Sequence, residues 1–114
     1  MRLRLALVAA IGVALLVPAV ASARLYARVG PGTTITLKRA NGTLVKHLSP
    51  GNRTLVVRDR ASNHNFHLKG PGVDTRTRVA FTGRRTWSLH FSPGTYTYLC
   101  DVHPSTMRRT FTVG

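Results

Sequence analysis

The stretch Tyr96-Thr97-Tyr98-Leu99-Cys100-Asp101-Val102-His103-Pro104-Ser105-Thr106-Met107 holds the chain's one cysteine, a histidine three residues on and a methionine four residues after that. Thiolate, imidazole and thioether are soft donors that suit copper, and two His with one Cys and a weak Met describe an electron-transfer copper site. One donor is then missing, and it has to be a histidine from elsewhere in the chain.

Two candidates stand upstream in Ser62-Asn63-His64-Asn65-Phe66-His67-Leu68. Side chains of an extended segment alternate between faces, so His64 shares a face with Phe66 and Leu68 while His67 points away with Asn65. His64 is therefore taken as the buried ligand, with His67 as its alternative. On the same argument His47, His67 and His90 are expected on the surface.

His64-Asn65-Phe66, followed by Pro93-Gly94-Thr95-Tyr96-Thr97-Tyr98-Leu99-Cys100-Asp101-Val102-His103 and Met107, resembles the cupredoxins, in particular small plastocyanin-like blue copper proteins. The resemblance runs from about residue 25 to residue 113. It implies an all-β, Greek-key β-sandwich of seven or eight strands with a single type 1 copper held by His64, Cys100, His103 and Met107. Plastocyanin has one more residue between the second His and the Met, in a loop whose length varies among cupredoxins. The resemblance also implies that the residue after the first His ties the two ligand segments together, so Asn65 is expected to bond to Asp101 or its neighbourhood. It implies too that His103 reaches the surface within an apolar patch, here flanked by Val102 and Pro104, with Pro71 and Val73 as neighbours, and that electrons pass there.

Outward from this loop the chain reads as short strands punctuated by turns, the pattern of a sandwich or barrel. Tyr96, Tyr98 and Cys100 share one face after the Ser92-Pro93-Gly94 turn, and Trp87, Leu89 and Phe91 alternate with Ser88 and His90 before it. Phe111 and Val113 fit a last strand. Upstream, residues 33–39 alternate, Asn41-Gly42 is a strong hairpin signal, and residues 44–48 are expected as the returning strand. Residues 53–59 form the next strand. Gly70-Pro71-Gly72 ends the His64 segment, and the chain from there to Gly83 is expected to be the least regular part. Tyr96 is read as a structural tyrosine that packs and hydrogen-bonds near a turn.

Residues 1–23 read as a secretory leader: Arg2 and Arg4, an apolar run over residues 5–17, and Ala21-Ser22-Ala23 as an A-x-A cleavage site. Cleavage after Ala23 leaves a copper-binding domain over residues 24–114. An uncleaved anchor is the competing expectation, because residues 5–23 are uncharged for 19 residues. Either way the domain is expected to be exported, and to be secreted, periplasmic or associated with the cell surface. An unpaired cysteine in an exported chain needs a reason, and a metal supplies it.

Seventeen Lys and Arg stand against three Asp; without Arg2 and Arg4 the balance is 15 against three, a charge of +12. Such a field steers association with anionic surfaces and partners, or serves solubility alone. The expected partner is a redox protein that is acidic where it docks, with anionic cell-surface association as a second use of the charge. Nucleic acid is not expected, because aromatic residues are not interleaved with the basic ones. The domain is expected to be monomeric. An enzyme is not expected either: the metal's protein donors are all filled, and a Cys100-His103 nucleophile pair would leave His64 and Met107 unexplained. The function expected is one-electron transfer by an exported mononuclear copper protein, with copper storage or delivery through the same ligands as the alternative.

Overall fold

A computed structural model describes residues 24–114, so the expected leader lies outside the described residues. Nine strands follow one another: β1 (Arg24–Val29), β2 (Ile35–Arg39), β3 (His47–Leu48), β4 (Gly51–Asp59), β5 (His67–Gly70), β6 (Val73–Arg76), β7 (Gly83–Phe91), β8 (Gly94–Leu99) and β9 (Arg108–Val113). They build two sheets, one in the order β2-β1-β4-β7 and one in the order β3-β9-β8-β5-β6. The all-β sandwich expected from the sequence is the architecture found, with nine strands where seven or eight were expected.

Alternation explains most of the strands. In β1, Leu25, Ala27 and Val29 are buried while Arg24, Tyr26 and Arg28 are exposed. β1 lies parallel to β4, pairing Leu25 with Leu55 and Ala27 with Val57, so the inward rows of the two strands coincide. From the other sheet, β8 contributes Tyr96 and Tyr98, both fully buried. Tyr96 stacks on Phe111 at 5.2 Å between ring centroids, and Phe66 stacks on Tyr98 at 5.4 Å. Each such pair adds about 0.5–1.5 kcal/mol beyond the area it buries. The aromatic layer therefore fixes the strand that leads into Cys100.

Tyr96 does pack and bond beside a turn. Its hydroxyl lies 2.9 Å from the Ser92 carbonyl and 3.1 Å from that of Pro71. Its ring lies flat on Gly70, where a Cβ would stand 2.1 Å from Cδ1. Only glycine leaves room for it.

Three expectations need correction. Asn41-Gly42 does make a tight turn, with Gly42 at φ +86 and the Asn41 carboxamide oxygen accepting from the Thr43 backbone N–H at 3.0 Å. The return strand, however, is reduced to one bridge between Lys38 and Leu44. The chain then crosses to the other sheet, where His47–Leu48 runs parallel to β9. Burial of Val45 and Leu48 in the core draws it there. Residues 70–83 are also more regular than expected: Pro71 and Gly72 turn a hairpin between β5 and β6. β6 is a sheet edge and carries one buried apolar residue, Val73, so it has no alternating signal to read. Finally, β7 begins at Gly83, ahead of its apolar alternation, because it pairs along the whole length of β4.

Candidate metal centre

Cys100 follows directly on β8, and the loop after it closes on itself. The Cys100 N–H donates to the Met107 carbonyl at 3.0 Å, the His103 N–H to the Cys100 carbonyl at 3.1 Å, and the Met107 N–H to the His103 carbonyl at 3.0 Å. Cys100, His103 and Met107 therefore hold one another through their backbones. Met107 is fully buried and His103 partly so.

His64 comes from the connection between β4 and β5. That connection is shaped by the Asp59 carboxylate, which accepts from the Ala61 N–H at 2.8 Å, an Asx-type turn. The His64 N–H in turn reaches the Ala61 carbonyl at 3.4 Å. Burial pushes the Asp59 carboxyl up, against the Ala61 hydrogen bond and the charge of His64.

The Cys100 Sγ lies 3.7 Å from His64 Nδ1 and 4.0 Å from His103 Nδ1. All three donor atoms fall within 4.8 Å of one another, and the two imidazoles meet edge to face at 4.7 Å. Bonds of about 2.0 Å to nitrogen and 2.3 Å to sulfur, opened to a trigonal angle, put N and S about 3.8 Å apart. The spacing found is that of three donors to one ion, so the residues fit a metal. The sulfur also accepts the Asn65 backbone N–H at 3.4 Å. Hydrogen bonds of that kind to the cysteine sulfur tune the potential of a copper-thiolate site.

Around the donors lies a network of polar groups, with Asn65 and Thr77 buried and Asp101 at its exposed edge. The Asn65 carboxamide donates to Asp101 Oδ2 at 2.8 Å and to the Thr77 carbonyl at 3.1 Å, and its oxygen accepts the Asp101 N–H at 2.8 Å. One side chain thus locks the His64 segment to the Cys100 loop. Asn65→Ala leaves these partners unpaired and is expected to cost about 2–4 kcal/mol of stability, and to weaken metal retention about 10–100-fold. Urea unfolding and chelator competition measure the two losses. Unchanged values would remove the bracing role.

His67 is not on the surface: it is 5 % exposed. Its Nδ1 lies 2.7 Å from Asp101 Oδ1 and its Nε2 2.6 Å from Asp74 Oδ1. The ring thus sits between two carboxylates, with one at each of its nitrogens. Residues 64–68 do not alternate between faces: all are buried, and the strand begins only at His67. The structure thus gives His64 and His67 different places, one beside the sulfur and one among carboxylates. Thr77, whose hydroxyl accepts the Phe66 N–H at 3.0 Å, is a further brace that sequence reasoning missed. The scarcity of acids was the available signal, since two of the three Asp in the chain flank this one histidine.

The hydrogen bond from His67 is the main cause that holds the Asp74 carboxyl below its ordinary value. Burial would raise Asp101, but hydrogen bonds from His67 and Asn65, with the charges of His67 and Arg76, outweigh it and leave its pKa lowered. Carboxyls lowered in the fold stabilise it above their unfolded pKa, and that contribution is lost as pH falls through the lowered values. Asp59, raised by burial, acts in the opposite sense as pH rises. The melting temperature is therefore expected to fall as pH drops below about 4, and Asp74→Asn is expected to flatten that fall. A melting temperature constant between about pH 5 and pH 2 contradicts this.

Val102, beside His103, is 51 % exposed, and Pro104 on its other side is exposed too. Pro71 and Val73 are not neighbours of His103. They sit beside Gly94, where a Cβ would meet the Pro71 ring at 2.6 Å, at the far end of β8. Six strand residues separate that end from Cys100 by about 20 Å. The segment beside the metal loop is instead the β1–β2 connection, where Thr33 and Thr34 share a cleft with Thr106 and Arg108.

No family model matches the chain, and no curated protein does. Among solved structures it is similar to reduced rusticyanin, with a TM-score of 0.59 and 17 % identity over 80 % of this chain and 78 % of that one. Rusticyanin from Thiobacillus ferrooxidans, in a second structure, gives a TM-score of 0.50 and 20 % identity over 80 % and 76 %. A methionine-to-leucine variant of amicyanin, in its oxidised form, gives 0.53 and 20 % identity over 85 % and 88 %. Identities this low speak for the fold, and the site is argued from its own geometry. Two packed sheets, a His-Cys-His cluster at one end of them and these structural neighbours together show that the chain has the cupredoxin fold.

Proposed function

We propose that this protein binds one copper ion through His64, Cys100 and His103, with Met107 as the weak thioether donor, and that it carries single electrons. The observation that carries the reading is the trio of Sγ and two Nδ1 atoms at the spacing of one ion. Copper, when bound, supplies one-electron exchange between its two oxidation states. His64 is anchored by one connection, and Cys100, His103 and Met107 by one self-bonded loop. Asn65 ties the two segments together. Donors fixed in this way rearrange little between oxidation states, which favours fast transfer.

Two further observations support this reading. Rusticyanin is described as a copper protein, and the neighbours were solved in reduced and oxidised forms. Among the described residues His64, Cys100 and His103 are the one group of three His, Cys, Asp or Glu side chains whose donor atoms all lie within 4.8 Å of one another. His103, half-buried between exposed Val102 and Pro104, is the point of electron entry in this account. The partner is a redox protein, acidic where it meets the basic surface, in an exported compartment.

Met107→Leu is expected to keep the thiolate-to-copper band while shifting the reduction potential, because the weak ligand tunes it. A potential that does not move removes the thioether from the site. Copper storage or delivery is the second reading, since thiolate and thioether also suit Cu(I). Repeated reduction and reoxidation in the presence of a Cu(I) chelator separates the two. A carrier keeps its copper through the cycles, whereas a delivery protein surrenders it on the first reduction.

A further inference from the structure

The outer face of the β2-β1-β4-β7 sheet carries a row of arginines that the copper reading does not use. Arg28 on β1 pairs in register with Arg58 on β4, and Arg58 with Arg84 on β7. All three are exposed and point the same way, away from the buried rows of Ala27 and Val57. Like charges directly opposite one another across strands destabilise a sheet. Here there are three in line.

Nothing in the fold neutralises them. Among the described residues no carboxylate lies within salt-bridge distance of Arg28, Arg58 or Arg84. Asp59 is buried, and Asp74 and Asp101 are engaged by His67. Arg28 Nε is held by the Gly30 carbonyl at 3.1 Å, which fixes its position and leaves its charge unpaired. Lys38 and Arg60 join the same cleft of about 300 Å³, and Tyr26, 40 % exposed, lies in it too.

The geometry points to a binding site for a linear inorganic polyphosphate laid across β1, β4 and β7 and held by the three guanidinium groups. Planar guanidinium groups bind phosphate oxygens in pairs, which is why arginine suits this role. Neighbouring strands are about 4.8 Å apart, so the row spans about 10 Å from Arg28 to Arg84. A single phosphate bridges one gap of such a row and leaves the other uncovered. A chain of phosphates covers both. The site shares no residue with the metal centre, so it stands whether or not copper binds.

The test measures binding of inorganic tripolyphosphate and of orthophosphate to the whole protein by calorimetry at low salt. Tripolyphosphate is expected to bind at least about tenfold more tightly, with affinity falling as salt rises. The double variant R58S/R84S is expected to lose about tenfold or more of that affinity while its melting temperature without anion stays or rises, because like-charge repulsion is relieved. K46S/K69S removes the same charge from exposed positions outside the row and is expected to lose much less. Equal losses in the two variants would overturn the site in favour of net charge. Equal binding of the two phosphates would overturn the linear ligand, and binding to anionic vesicles without binding to tripolyphosphate would overturn it in favour of a lipid surface.

Discussion

Cys100→Ser is expected to abolish the visible thiolate-to-copper band and to weaken copper retention by more than about 100-fold, the upper end of what loss of a residue behind the ligands costs. Sulfur is the one donor here that binds copper as a soft anion, and a serine hydroxyl stays protonated and hard at neutral pH. The substitution hardly changes shape. It places a hydroxyl where Cys100 is now fully buried, with the Asn65 N–H and the two imidazoles still around it. The metal-free variant should therefore fold, at a cost of about 1–3 kcal/mol for the buried polar group. Circular dichroism and copper titration together separate loss of the ligand from loss of the fold. A variant that folds and still shows the band would place the chromophore elsewhere.

A second large loss of stability is expected from a residue remote from copper. Gly70→Ala puts a methyl group where Tyr96 Cδ1 would stand 2.1 Å away, far inside contact distance. The ring has nowhere to go: it stacks on Phe111, meets Phe91 at 5.2 Å and is held through its hydroxyl at Ser92 and Pro71. Overpacking of a tight core costs about 1–3 kcal/mol and occasionally more, and here it strikes the largest aromatic cluster. A loss of about 3 kcal/mol lowers the melting temperature of a domain this size by roughly 12–24 °C. The small gain from stiffening the unfolded chain, about 0.4–1 kcal/mol, does not offset it. Differential scanning calorimetry reads the result, and a shift of only a few degrees would mean that Tyr96 slides aside freely.

The centre was more legible in the sequence than the frame that holds it. The chain has one cysteine and two methionines, so their spacing with a histidine in one short loop carries chemical meaning before any strand is assigned. Strands with alternating apolar residues, such as β8 and most of β7, could be read for the same reason. β1 lies parallel to β4, a pairing made across 30 positions that no local pattern announces. β6 lacks alternation, and β3 is two residues long. His67 was misplaced because a period-two rule was extended into a connection that is not a strand. Its role depends on Asp74 and Asp101, which the fold brings together from separate segments.

The most direct test of the account is the visible absorption spectrum of the protein after one equivalent of Cu(II) is added. An intense blue band is expected, which a mild reductant bleaches and an oxidant restores. A protein that retains one Cu(II) and shows no such band would contradict the assignment of Cys100 as its ligand.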